Sequence, residues 1–200
     1  MHFLQRAWQL AEARGYLRYP QVLALQDRVP EWFRSLATPA GLAAFEQCRR
    51  LSVPPALREF YACVPLACFV ETAIDGEIFL TQMLEEAPDL PPTVVWRSVP
   101  HLVFAFHCHS GSVCAAELGV DDPLVFWGFE DDAQPVMDDK DPPVCFSEWV
   151  YGVVNGYEAL LDFWQGAYLK RRNNPGEAQR LGGLEWVLDM PGMAERLDLS

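Results

Sequence analysis

The apolar positions of this chain change period twice, from three-to-four residues to two and back again. In the first fifty residues Phe3, Leu4, Ala7, Trp8, Leu10 and Ala11 recur at helical spacing, and Gly15 offers a stop. A second helix is expected after Pro20, carrying Val22, Leu23 and Leu25. A third is expected after Thr38, where Pro39 suits the first turn and Leu42, Phe45 and Cys48 share a face. In the stretch from Leu51 to Tyr61 the two prolines fix a helix start, with the cap at Ser52 or as late as Pro54. Leu57, Phe60 and Tyr61 form its apolar stripe.

Past Val64-Pro65 the period drops to two. Short strands are expected near Cys68–Glu71, Ile78–Leu80 and Thr93–Trp96, with Asp75-Gly76 turning the chain between the first two. The clearest hairpin spans Leu102–Glu117 and turns at Ser110-Gly111. Strict alternation puts Phe104, Phe106 and Cys108 on one face and Ala105, His107 and His109 on the other. Leu124–Phe129 is nearly continuous in apolar character, as in a strand buried on both faces, so it should lie inside the sheet.

The helical period then returns. Phe146, Trp149, Val150, Val153, Tyr157, Leu160, Leu161 and Trp164 keep it for almost five turns. Ser147 is the expected cap, and Phe146 and Tyr151 are placed as a hydrophobic staple. Gly152 and Gly156 each weaken that helix by about 1 kcal/mol relative to alanine unless packing needs their small size. Cations at Lys170, Arg171 and Arg172 stand near its negative dipole end, before Asn173-Asn174-Pro175-Gly176. Residues 177–200 carry only a short helix or strand near Leu184–Leu188. Helices, then strands, then one long helix predict an α+β fold, a mostly antiparallel sheet packed on helices.

Length is enough for one domain over residues 1–200, with 1–50 as a helical N-terminal extension, 51–168 as the core and 169–200 as a C-terminal tail. The formal net charge of −13 argues against direct binding of a phosphate backbone and would steer a cationic protein inwards. The longest apolar runs fall far short of the roughly 20 residues that cross a bilayer, and the first residues lack a signal-type apolar stretch. Six cysteines without paired spacing are expected as reduced thiols of a cytoplasmic protein.

The charge is uneven. Asp121, Asp122, Glu130, Asp131, Asp132, Asp138, Asp139 and Asp141 crowd around Leu124–Phe129, opposed only by Lys140, a local balance of −7. These eight carboxylates are the candidate partner-binding residues, forming an acidic rim for a basic protein. Exposed pairs contribute only about 1 kcal/mol each, so tight binding also needs an apolar centre, for which Trp96, Trp127 and Phe129 are candidates.

Other chemistry is poorly supplied. His107 and His109 share a strand face that Cys108 does not, and two ligands are too few for structural zinc even with Cys114 across the hairpin. Asp-x-Asp-x-Asp-Gly spacing for calcium is absent, as is a Gly-x-x-x-x-Gly-Lys phosphate loop. Ser110-Gly111-Ser112 is not a nucleophile elbow, which leaves Cys114 with His107 as the one nucleophile–base pair to weigh. No catalytic residue, metal or cofactor is expected.

Three segments together resemble a known superfamily. Leu51-x-x-Pro-Pro-x-Leu-x-x-Phe-Tyr61 is similar to the L-P-x-x-L-x-x-F-Y helix of the SUKH superfamily. Val103-Phe-Ala-Phe, Gly111-Ser-Val-Cys-Ala-Ala-Glu117 and Asp122-Pro-Leu-Val125 resemble its middle strands and D-P-x-V element. Phe146-Ser-Glu-Trp-Val150 resembles the start of its closing helix. The resemblance implies an α+β domain that binds proteins and catalyses nothing. Bacterial members are chiefly immunity proteins that neutralise polymorphic toxins, often nucleases, and a fungal branch regulates cell-wall synthesis through protein contacts. The chain departs from the pattern at Cys63-Val-Pro-Leu66, where the family usually turns at Asn-Gly, and in its first fifty residues. A cognate toxin is therefore the expected partner, with an intracellular scaffold as the alternative.

Overall fold

The computed structural model describes residues 1–29, 31–74, 93–107, 112–131, 134–137, 143–173 and 185–197. Six helices come first: α1 (Gln5–Ala13), α2 (Pro20–Arg28), α3 (Glu31–Leu36), α4 (Pro39–Arg49), α5 (Pro55–Ala62) and α6 (Val64–Ala73). Strands β1 (Thr93–Trp96), β2 (Val99–His107), β3 (Ser112–Glu117), β4 (Leu124–Asp131), β5 (Gln134–Met137) and β6 (Val144–Cys145) follow. Helices α7 (Phe146–Asn173) and α8 (Met193–Arg196) close the chain. The fold is α+β, as the element order predicts.

Local chemistry explains most boundaries. α1 stops at Arg14, and Gly15 takes φ 74°, where a side chain would be strained. Thr38 caps α4 by accepting the Gly41 N–H at 3.1 Å, with Pro39 in the first turn. α5 begins at Pro55, and Ser52 is used elsewhere: its hydroxyl accepts from Arg58 at 3.0 Å. Arg58 also reaches the Val53 carbonyl at 2.7 Å and Glu46 at 2.6 Å, and so locks the α4–α5 connection.

The strand expected at Cys68–Glu71 is instead the middle of α6. Leu66 to Glu71 and Ala73 are all buried, so this helix is apolar on every side and shows no stripe by which to tell it from a buried strand. Ile78–Leu80 and the Asp75-Gly76 turn lie outside the described residues.

The sheet runs β1-β2-β3-β4-β5 with every pair antiparallel, and β6 pairs with β4 beside β5. Both edges of β4 are therefore hydrogen-bonded, as its apolar run predicts. The faces of β2 depart from strict alternation. A bulge between Val103 and Ala105 inserts one residue, so Phe104 and Ala105 both bury towards the helices. The helix-facing side carries Leu102, Phe104, Cys114, Ala116 and Val125. Phe104 meets Phe146 at 5.3 Å and Trp149 at 5.4 Å, both edge to face, and Phe60 meets Phe146 at 5.4 Å. The opposite face holds a smaller cluster of Val103, Val113 and Ala115 under Val94, Trp96 and Phe126. There the sheet curls until β1 and β5 approach within 8 Å of each other.

The first fifty residues share the main core. Leu4, Ala7, Ala11, Tyr16, Val22 and Phe33 belong to one continuous buried cluster with Phe60, Phe69, Tyr157 and Met193. Tyr16 stacks on Phe69 at 4.9 Å and meets Tyr157 edge on at 5.4 Å, while its hydroxyl donates to Glu158 at 2.6 Å. Burial, reinforced by that carboxylate, pushes the Tyr16 phenol up to about 12. Beyond α7 a short 3-10 helix, Glu185–Asp189, and α8 return to the same core through Val187, Met190 and Met193. Tyr157 donates to the Pro191 carbonyl at 2.9 Å, and Arg196 pairs with Glu158 and Asp162.

α1 has no side-chain cap of its own at Leu4. Glu59 on α5 instead holds the chain leading into α1, accepting the backbone N–H groups of His2 at 2.7 Å, Phe3 at 3.2 Å and the N-cap residue Leu4 at 2.7 Å. Partial burial raises the Glu59 carboxyl, but these three donors outweigh it and the value falls below the ordinary 4.5. A lowered carboxylate contributes stability that is complete above its unfolded value and is lost as pH falls through the folded one. Glu59→Gln keeps an accepting amide oxygen and loses the charge, so it should cost up to about 1 kcal/mol at neutral pH in urea unfolding. Its deficit against the parent should shrink as pH drops below 4.5. A deficit that stays constant with pH would contradict this.

Candidate functional site

Charge is uneven along the chain. Residues 1–73 hold six carboxylates and eight arginines, whereas residues 74–145, which contain the described strands, hold 14 carboxylates against Arg97 and Lys140. That section alone carries −12 of the net −13.

The four described candidates fall at the two ends of β4. Asp121 and Asp122 precede β4, whereas Glu130 and Asp131 lie at its far end, where Glu130 pairs with Pro135 and Asp131 with Gln134. The six strand steps from Leu124 to Glu130, at about 3.3 Å each, set the two ends roughly 20 Å apart. Asp132, Asp138, Asp139 and Asp141 lie outside the described residues.

Asp121 is exposed and its carbonyl accepts the Ala56 N–H at 3.0 Å, in the first turn of α5. Asp122 has a different job from the expected one. Its carboxylate accepts the Ser147 N–H at 3.0 Å and the Ser147 hydroxyl at 2.5 Å, while the Pro123 carbonyl accepts the Phe146 N–H at 2.8 Å. Ser147 was the expected cap of α7, yet it lies inside the first turn and Asp122 does the capping. An anionic acceptor there also meets the positive end of a 28-residue helix. Three consecutive residues thus bind two helix N-termini to the start of β4, and Asp122 carries a structural role there.

The aromatic candidates also separate. Trp127 packs against the main core, whereas Trp96 stands half-buried on the other side of the sheet. There it meets Phe126 at 4.5 Å and His101 at 5.8 Å, and the Arg97 guanidinium lies 4.4 Å from its ring centre. The His101 Nδ1 is 2.9 Å from the Val99 carbonyl, and its ring packs edge on to Phe126 at 5.1 Å. Beside them Val95 on β1 is 72% exposed. Sequence reasoning named Trp96 but missed His101 and Arg97. A lone histidine in an apolar strand and an arginine in a two-residue turn carry no pattern. The Phe129 side chain lies outside the described residues.

Cys114 sits on the helix-facing side of β3, opposite Ala105, with 1% of its surface exposed. Burial drives its thiol far above the ordinary cysteine range, so it is held protonated rather than as a nucleophilic thiolate. Burial likewise raises Cys63 to about 11 and Cys68 to about 12. Cys48 is exposed and Cys145 half-buried, so the cysteines are not uniformly core residues. His109 and Cys108 lie outside the described residues, and among the described residues no group of three or more His, Cys, Asp or Glu could hold a metal ion. Among them also, no helix is long and apolar enough to cross a membrane.

Removing the α7 cap separates its two roles. Asp122→Ala should cost about 1–2 kcal/mol in urea unfolding, whereas Asp122→Asn, whose amide oxygen still accepts, should recover most of that. Equal losses for the two substitutions would show that the carboxylate acts through charge rather than as a hydrogen-bond cap. No protein-family model, no curated protein and no solved structure matches this chain.

Proposed function

We propose that this chain is a non-catalytic protein-binding domain of the SUKH kind, an immunity protein that neutralises a basic toxin by direct association. What supports the reading is the concentration of −12 in the sequence of residues 74–145, together with the half-buried Trp96 and Phe126 over buried His101 on the sheet face turned away from α7. Anionic surface draws a cationic partner at long range, and the field falls off over about 10 Å at 0.1 M salt. Short-range affinity then needs an aromatic anchor at the centre of contact, and half-buried Trp96 is the candidate. Were the toxin a nuclease, carboxylates on this section would occupy the place of nucleic-acid phosphates and the complex would compete with substrate.

The experiment pairs the chain with the product of any toxin-like gene next to its own. Co-expression should restore growth, and the purified proteins should form a stoichiometric complex whose association slows about tenfold or more as salt rises from 50 to 500 mM. Asp131→Asn with Asp132→Asn should slow association at low salt, and Trp96→Ala should speed dissociation. An association rate indifferent to both salt and the two carboxylates would remove the electrostatic half of the reading. Growth that stays arrested, with no complex formed, would remove the reading altogether.

A further inference from the structure

Helix α7 buries one side and presents another that nothing described covers. Val150, Val154, Tyr157 and Leu161 face the core. On the opposite side, Gly152, Gly156, Ala159, Phe163, Gly166 and Lys170 follow at spacings of four, three, four, three and four residues, and all six are exposed. That spacing is the heptad seam of a helix paired with another helix. Three glycines on an exposed face cost about 1 kcal/mol each relative to alanine. Among the described residues no packing accounts for them, because a Cβ built on any of the three meets no atom within 4 Å.

The seam holds both halves of a contact. Phe163 projects from it with 64% of its surface exposed, steadied by Trp164, whose ring meets it edge on at 4.9 Å. Seven residues earlier, about 10.5 Å along the same face, Gly152 and Gly156 open a groove of 300 Å³ walled by Ile74, Val153, Leu160 and Trp164. An apolar cavity of about 150 Å³ is enough to hold benzene, so this groove has room for a phenyl ring.

We propose that α7 pairs antiparallel with α7 of a second copy, each Phe163 seating in the other's groove over Gly152 and Gly156. A two-fold axis near Ala159 and Leu160 sets Phe163 against the partner copy's glycine 156 position, and the reverse contact follows from symmetry. The same axis brings Glu148, which also pairs with Arg6 of its own chain at 3.3 Å, opposite the last-turn cations at Lys170 and Arg171. A parallel pair would instead set the three last-turn cations against their own copies and align the two helix dipoles. The net charge of −13 opposes association at long range, so added salt strengthens this contact. One helix face per copy is a small interface, and a dissociation constant on the order of 10–100 µM follows. The surface is separate from the sheet face assigned to a toxin, and the proposal stands whether or not that assignment does.

Sedimentation velocity of the full chain from 5 to 500 µM, at 150 and 500 mM sodium chloride, tests it. The expected result is a rise from the 22.6 kDa monomer towards twice that mass, at lower concentration in the higher salt. Phe163→Ser, at an exposed position, and Gly156→Leu, which fills the groove where space is open, should each weaken pairing at least tenfold. Gly156→Leu should also raise the melting temperature of the monomer, which confirms that the fold survives. A parent chain still monomeric at 500 µM overturns the proposal, as does either variant pairing as tightly as the parent.

Discussion

The arrangement depends on satisfying helix N-terminal N–H groups with acceptors from elsewhere in the chain. The N-terminus of α7 carries four amides without intrahelical acceptors, and the turn before β4 answers two of them, through the Asp122 carboxylate and the Pro123 carbonyl. The same turn reaches α5 through the Asp121 carbonyl. Glu59, on α5, then holds the start of α1 with three further bonds, the last to its N-cap residue Leu4. Two carboxylates thus link four elements in series: β4 to α7 by Asp122, and α5 to α1 by Glu59. Once the two helices are held at that turn, Phe60, Phe104 and Phe146 have little choice but to meet, and the core between sheet and helices forms around them.

Curvature of the sheet has a separate consequence. With the described helices on one face only, the other face would normally be wet. Because β1 and β5 approach each other, that face encloses Val103, Val113 and Ala115, each at most 2% exposed, beneath Trp96 and Phe126. The bulge after Val103 contributes, since an extra residue bends its strand and strengthens local twist. The aromatic cluster is therefore a lid over a second small core, which makes it both rigid and near the surface. A rigid aromatic group loses little entropy on binding, a property suited to contact with a partner.

Much of this was legible in the residues. The helices after Pro20 and Thr38 start where proline and threonine place them, Gly15 stops α1, and the apolar stripe from Phe146 predicts most of α7. What could not be read has physical reasons. α6 is buried on all sides, so its pattern carries no period. The β2 bulge breaks alternation without a glycine or proline to mark it. The true cap of α7 stands 25 residues away from Ser147, and local rules see only neighbours. An acidic stretch that looks like one patch is divided by the length of β4, because sequence proximity across a strand means separation in space.

Amide hydrogen exchange tests the central claim most directly, since it reads the bonds at the β4 turn one by one. The account predicts that the amides of Ala56, Phe146 and Ser147 exchange together, as slowly as the sheet amides of β3 and β4, opening only with the whole domain. If they exchange at the rate of frayed helix ends while those strands stay protected, the turn does not hold the layers together.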